Sequence, residues 1–429
     1  MKISTNNIVI FLLYIFCAAL PLSKAIGNIS ELLLLLISFY QLFTKERKWK
    51  WSPIMLVSTT FFVLLFSLTV SKQLNEGIKN VISFSPLLII PIVISIQKEI
   101  VSRHFNALSY TFIGATLFSF GATLIYTYSP DDITSKLSSY NKIFLPHPNH
   151  RIDFYGMICA FVDRIQLSNQ LGVATLLALF LAIFRKKYFC IILAVLSIAA
   201  SALLGGRGGQ IALVGGLLIF SMFTIATLLQ KKIHLKFFGI LAGFIFSILL
   251  IGGCTYLAFK NIPALQDRYE QHFYEINEFK KRTIPPEEMQ YLTSIRRYVS
   301  WINNWKVIQE NFWLGTGIGD FDTELKKAYA SGKYKISINH HSQYLYIWGA
   351  SGLIGFSIFL LSLLLAISNM YKQKKWFIPG ISFLLFYLIT FIPDAVLLKQ
   401  TDCMTFAFFF SVFLLSEFTY ASHKTHINS

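Results

Sequence analysis

The run SNQLGVATLLALFLAIFRKK at residues 168–187, followed directly by YFCIILAVLSIAASALL at 188–204 and GGRGG at 205–209, decides the fold. Each apolar stretch is close to the length that crosses a bilayer as a helix, and only Arg185, Lys186 and Lys187 separate them. Working outward, the same alternation of apolar run and charged punctuation gives segments near 7–24, 28–44, 53–70, 82–96, 107–127, 168–184, 188–204, 208–229, 237–259, 341–367, 377–393 and 401–420. The chain of 429 residues is 55% hydrophobic and only 14% charged, which excludes an ordinary soluble enzyme with its charged share of about 25%. These features predict an all-α, polytopic integral membrane protein of about 12 transmembrane helices. The first run, preceded by Lys2, has the look of a signal peptide, but a second apolar run follows at once and favours a retained helix.

Orientation follows from the basic residues. Lys45, Arg47, Lys48 and Lys50 follow the second segment, Lys98 and Arg103 the fourth, Arg185 to Lys187 the sixth, Lys231, Lys232 and Lys236 the eighth, and Lys372, Lys374 and Lys375 the tenth. Every even segment therefore ends in a basic cluster, which predicts cytoplasmic short loops and termini and explains much of the +17 charge without nucleic acid. The expected organisation is helices one to nine over 1–259 with an outer loop near 128–167, a large outer loop with amphipathic helices over 260–340, and helices ten to twelve with a cytoplasmic tail over 341–429. Five scattered cysteines (Cys17, Cys159, Cys190, Cys254, Cys403) have no disulfide or zinc spacing.

Four constellations fall on the outer side. Arg207, flanked by Gly205, Gly206, Gly208 and Gly209, suits an anionic headgroup or pyrophosphate gripped by a guanidinium; it equally suits a tight interhelical turn whose arginine snorkels to lipid phosphates. Tyr298, Trp301, Trp305 and Ile308 recur at helical spacing and predict an amphipathic helix at the membrane interface, with Arg297 one turn before Trp301. Gly315, Gly317 and Gly319 miss the dinucleotide-binding spacing and read as a turn. His340 and His341, where the loop re-enters the membrane, offer either a general base or a polar helix cap; adjacent histidines point differently, so one faces any given site. No further Cys, His or carboxylate cluster at ligand spacing joins them to form a metal site. Asp394, between the last two segments, either orients such a histidine or pairs with an arginine, or caps a helix; Asp163 and Arg164 are open in the same way. Arg164, Arg207, Arg297, His341 and Asp394 come from five separated positions on one side of the membrane, the pattern of an active site.

At these residues the sequence resembles the O-antigen ligase family, which comprises O-antigen ligases, O-antigen polymerases and related bacterial oligosaccharide transferases. The resemblance rests on the glycine-flanked Arg207, on Arg297 four residues before Trp301, on the Gly315–Gly319 turn, on His341-Ser342-Gln343-Tyr344-Leu345, and on Gly352 and Gly355. The family more usually shows His-x-His-Asn at the fourth of these. Here Asn339 stands at the earlier histidine's place and Ser342 replaces the asparagine, which leaves His341 in the catalytic register.

The resemblance implies a glycosyltransferase of the bacterial inner membrane, working at the periplasmic face without cofactor or metal. Its donor would be a glycan on undecaprenyl pyrophosphate, its acceptor lipid A core or a lipid-linked glycan, and membrane lipids its surroundings. Arg207 and Arg297, with Arg164, would bind the pyrophosphate; His341 would deprotonate the acceptor hydroxyl and Asp394 orient it; Arg296, His340, Trp301, Gly206 and Gly208 would line the substrate. A ligase is the favoured expectation and a polymerase the alternative. A non-catalytic lipid-linked glycan transporter is a third reading, against which the charges at one outer face argue, although Pro86, Pro91 and Pro379 leave helix breaks open.

Overall fold

The computed structural model describes residues 4–49, 52–128, 159–230, 263–281, 292–332, 340–374 and 376–415, with the single residues 245 and 260. The apolar segment expected at 237–259, most of the 128–167 loop and the tail beyond 415 lie outside the described residues. Among the described residues the chain is helical with no strand. We number the helices α1 Thr5–Ala19, α2 Lys24–Phe43, α3 Thr59–Ser67, α4 Leu74–Ser83, α5 Pro86–Ile96, α6 Lys98–Tyr128, α7 Arg164–Phe184, α8 Cys190–Leu204, α9 Arg207–Gln230, α10 Pro263–Lys281, α11 Thr293–Glu310, α12 Phe321–Ser331, α13 Gln343–Gln373, α14 Phe377–Thr390 and α15 Gln400–Phe413.

Among the described residues five helices are long and apolar enough to cross a membrane, or six if α4 and α5, bent by 40°, count as one span. The stretches Thr5–Ala19, Pro53–Ser67, Cys190–Leu204 and Phe377–Thr390 are apolar but shorter. A helix of 15 residues rises about 22 Å, less than the roughly 30 Å of a hydrocarbon core, so length alone does not make these spans. The expected segment at 82–96 is divided: α4 carries Glu76, Lys79 and Asn80, and Pro86 enters at the first turn of α5, where its missing N–H leaves no hydrogen bond unmade.

Helices α7 and α15 form the interior. Every residue of α15 from Thr401 to Phe413 is buried, as is α7 from Leu167 to Ala178. Phe406, Phe409 and Phe413 of α15 meet Phe383 of α14, and Trp376 packs edge-on against Phe105 of α6 at 4.9 Å. Between helices in lipid the gain comes from this close packing, because lipid tails are as apolar as the side chains themselves.

The turn read from Gly315, Gly317 and Gly319 is an interlock. Helix α13 is broken at Gly352, where φ is +67°. Into the break fits the 312–317 backbone: Thr316 N–H donates to Gly349 O at 2.9 Å, Gly317 N–H to Ala350 O at 3.1 Å, and Leu353 N–H to Phe312 O at 2.9 Å. These bonds replace the helical ones that the break removes. The far side of the turn docks on the α3–α4 connection, where the Asp320 carboxylate accepts from Lys72 N at 2.6 Å and Gln73 N at 3.0 Å.

Gly352 has positive φ, and a side chain there would run into the Trp313 carbonyl. Gly352→Ala is therefore expected to destabilise the fold by about 2 kcal/mol or more. Thermal unfolding of the detergent-solubilised protein measures this, and an unchanged midpoint would refute the interlock.

Candidate functional site

The backbone at His341 is fixed from two sides. Ser342 caps α13: its hydroxyl accepts from Leu345 N at 3.5 Å and donates to Phe391 O at 3.3 Å. Gln343 N–H also reaches Phe391 O at 2.9 Å, and its side-chain oxygen accepts from Leu397 N at 2.9 Å. From the opposite side the Trp301 indole of α11 donates to the His341 carbonyl at 2.8 Å. The imidazole held in this way is itself uncommitted, since both ring nitrogens are buried and have no hydrogen-bond partner among the described residues. A buried ring of this kind is available to a substrate proton or hydroxyl.

Arg297, one turn before Trp301 on α11, is the next member. It feels the charges of Asp394, Arg207, Glu275 and Arg164, which come from the 391–399 turn, the start of α9, helix α10 and the start of α7. Burial, together with Arg207 and Arg164, weakens its hold on its proton, against the pull of Asp394 and Glu275. Its Nε is buried and unpartnered, and among the described residues it forms no ion pair. Arg164 and Arg207 are the first residues of α7 and α9, so two helix N-termini point their N–H groups into the same neighbourhood. The ends that begin at Gln343 and Gln400 add two more. Positive side chains and helix dipoles of one sign there favour a polyanion.

The carboxylates are tied down. Asp163 caps α7 in a capping box, accepting from Ile165 N at 2.6 Å while Gln166 returns the bond to Asp163 N at 3.2 Å. Lys399 reaches Asp163 at 3.4 Å and Asp394 at 3.3 Å. Burial raises the Asp163 carboxyl, but Lys399 and the Ile165 amide outweigh it, so the group sits below its usual range. For Lys399, burial is likewise outweighed by Asp394, Asp163 and Asp402, and its ammonium titrates above the usual lysine range.

The structure thus brings Arg164, Arg207, Arg297, His341 and Asp394 together, with Arg296 also acting on the His341 ring. Other residues take different places. His340 points away into a clasp, with Nε2 2.6 Å from Asp322 and Nδ1 3.3 Å from Asn304, and its ring stacks on Phe321. Trp301 bears on the site through the His341 carbonyl rather than by a stacking face. Gly206 and Gly208 serve helix approach: a side chain at Gly206 would meet Ser168 of α7, and one at Gly208 would lie 3.2 Å from Pro393. The stripe on α11 also divides, because Tyr298 and Trp305 are exposed while Ile308 is buried beside Val307. Lys399 and Glu275 join the site without having stood out in sequence, and Asp163, open in the sequence between a helix cap and a site role, serves as the cap that also holds Lys399. The only signal for Lys399 was its place five residues after Asp394 in a short outer turn. Among the described residues no group of three or more His, Cys, Asp or Glu is placed to hold a metal ion.

Residues 192–360 match the family model described as O-Antigen ligase. The match spans less than half of the chain and is a similarity of this segment to the O-antigen ligase family. The matched O-antigen ligase segment carries Arg207, Arg297, Trp301 and His341, whereas Arg164, Asp394 and Lys399 lie outside it and reach the site through the fold. No curated protein matches the chain.

At this site, burial lowers the His341 ring to about 4, reinforced by Arg297, Arg296 and Lys399 and opposed by Asp394. The imidazole is therefore neutral at pH 7. Removing a neighbouring cation makes the charged ring easier to form and moves the titration up; removing the opposing carboxylate moves it down. Histidine-labelled NMR is expected to place the His341 midpoint near pH about 4, higher in Arg297→Gln and lower in Asp394→Asn. A midpoint near 6.5 that neither variant moves would contradict the geometry.

Proposed function

We propose that the chain is an O-antigen ligase, moving a glycan from undecaprenyl pyrophosphate to lipid A core oligosaccharide at the periplasmic face of the inner membrane. The observation that carries the reading is His341, neutral, its ring nitrogens buried and without a partner among the described residues, beside Arg297 and within the arginines that begin α7 and α9. A glycosyl transfer from a lipid pyrophosphate needs these two things in one place: a base for the incoming hydroxyl and fixed positive charge for the departing diphosphate. The twelve-span topology read from the basic clusters belongs to this proposal, because it sets the site opposite the cytoplasmic lysines.

In this mechanism His341 takes the proton of the acceptor hydroxyl. The acceptor oxygen attacks the anomeric carbon from the face opposite the pyrophosphate and inverts its configuration. The carbon–oxygen bond to the pyrophosphate breaks, and the electron pair leaves on the pyrophosphate oxygen. Arg297, Arg207 and Arg164 stabilise that charge; arginine suits it because its charge is constant and its fork matches phosphate oxygens. Trp301 and Ser342 hold the peptide that carries the base, and Asp394 acts on its ring as the opposing charge.

A polymerase would use the same donor chemistry and differ in its acceptor. Deletion of the gene in its own host separates the two: long polymer left on the lipid carrier with none on lipid A supports the ligase, and single repeats reaching lipid A support the polymerase. In reconstituted vesicles, His341→Ala is expected to slow transfer by about 10²–10⁴-fold. Arg207→Ala is expected to slow it by about 10²–10³-fold. Full transfer by either variant, with normal membrane insertion, would remove that residue from the mechanism.

A further inference from the structure

We propose that Lys399 works as a competing cation, holding the Asp394 carboxylate off Arg297 so that the guanidinium stays open to the donor's pyrophosphate. The proposal rests on the donor reading above and gives a positioning role to a residue outside the matched family segment. Its starting point is an absent ion pair. Of the carboxylates that attract Arg297, Asp394 acts more strongly than Glu275, yet among the described residues Arg297 pairs with neither. An arginine and a carboxylate that are both largely buried normally close into a fork, since each otherwise bears its desolvation alone.

Asp394 is prevented from closing by what holds it. Its Oδ2 accepts from Lys399 Nζ at 3.3 Å, and the same ammonium reaches Asp163 Oδ2 at 3.4 Å. Asp163 cannot follow a moving lysine, because its Oδ1 is engaged by the Ile165 and Gln166 amides at the start of α7. The anchor therefore runs from the α7 backbone through Asp163 to Lys399 and on to Asp394. Asp394 is only 8% exposed, and the preceding Pro393 abuts Gly208 of α9, so solvent offers it no other partner. Lys399, which it contacts, and Arg297 both feel its charge. With Lys399 in place, Arg297 keeps a buried, unpartnered Nε. Without it, Asp394 swings to Arg297 and fills the anion site with an internal carboxylate.

The test measures binding of undecaprenyl pyrophosphate, with undecaprenol as the uncharged control, to the full-length protein in detergent. Lys399→Met is expected to weaken undecaprenyl pyrophosphate at least tenfold and leave undecaprenol unchanged. Lys399→Arg is expected to stay within threefold of the native protein. The double variant Lys399→Met/Asp394→Asn, which removes the intruding carboxylate as well, is expected to return to within threefold. It also removes both charges together, so it keeps the test open if the single variant does not fold. Native-like binding by Lys399→Met would overturn the role of Lys399, as would a folded double variant that binds tenfold more weakly than the native protein. A native protein that does not distinguish the pyrophosphate lipid from undecaprenol would remove the donor reading and the role of Lys399 with it.

Discussion

Like charge gathered where helix N-termini converge is the constraint on which the rest of this structure depends. Arg164 and Arg207 occupy the first positions of α7 and α9, where the helix dipole favours an acidic residue. Arg297 and Arg296 stand on α11 near the same point. A chain selected only for stability would not place arginines there, since each is disfavoured by the helix end and by its neighbours. The arrangement makes sense for a polyanion that arrives from outside. The carboxylates in the neighbourhood reduce the repulsion without cancelling it: Asp163 caps a helix, Glu275 accepts from Ser294 N at 2.7 Å, and Asp394 faces Lys399.

The state of His341 follows from burial first and from that constraint second. Burial, reinforced by the neighbouring cations, holds the ring neutral at pH 7, which is the form a general base needs. The same cations make the imidazolium that would follow proton transfer unfavourable. In the proposed reaction the proton therefore has reason to leave again, and the oxygens of the proposed pyrophosphate leaving group are the natural place for it. Asp394 tempers the effect from the opposite side, so one carboxylate acts on both His341 and Arg297, the proposed base and leaving-group residue. Lys399, by deciding where that carboxylate rests, links the two halves of the chemistry.

The apolar segments were legible because hydrocarbon imposes long unbroken runs, and α7, α8, α9 and α13 begin or end within a few residues of the runs read from sequence. Breaks were harder to read. Gly352 inside an apolar run looks like a packing glycine, and its true partner, the 312–317 backbone, lies more than thirty residues away. The arginines and His341 were legible because a charge or a histidine at the end of an apolar run has few structural uses. Which of His340 and His341 turns inward was not, for the choice is made by Asp322 and Asn304, brought up by two other helices. Lys399, and its link to Asp163, stayed hidden for the same reason. Their meaning is a distance between the ends of α7 and α15, and no local pattern encodes it.

The interlock and the clasp show why such distant partners are needed. Glycosyl transfer places a base, an anomeric carbon and a leaving group in one geometry, and small displacements of any of them are expensive. His341, the proposed base, sits at the junction of a loop and a helix, ordinarily a soft place. Three separate ties stiffen it: the Trp301 indole on the His341 carbonyl, the His340 clasp to Asp322 and Asn304, and the 312–317 backbone set into the break of α13. All three come from the polar segment between α10 and α13, so that segment acts as the frame for the base as well as the bearer of Arg297. The arginines of α7 and α9 instead belong to the helical bundle. The site is therefore a seam between a bundle that holds the positive charge and a loop frame that holds the base, and Asp394 with Lys399 sits on the seam, where a single ion pair can set the register between them.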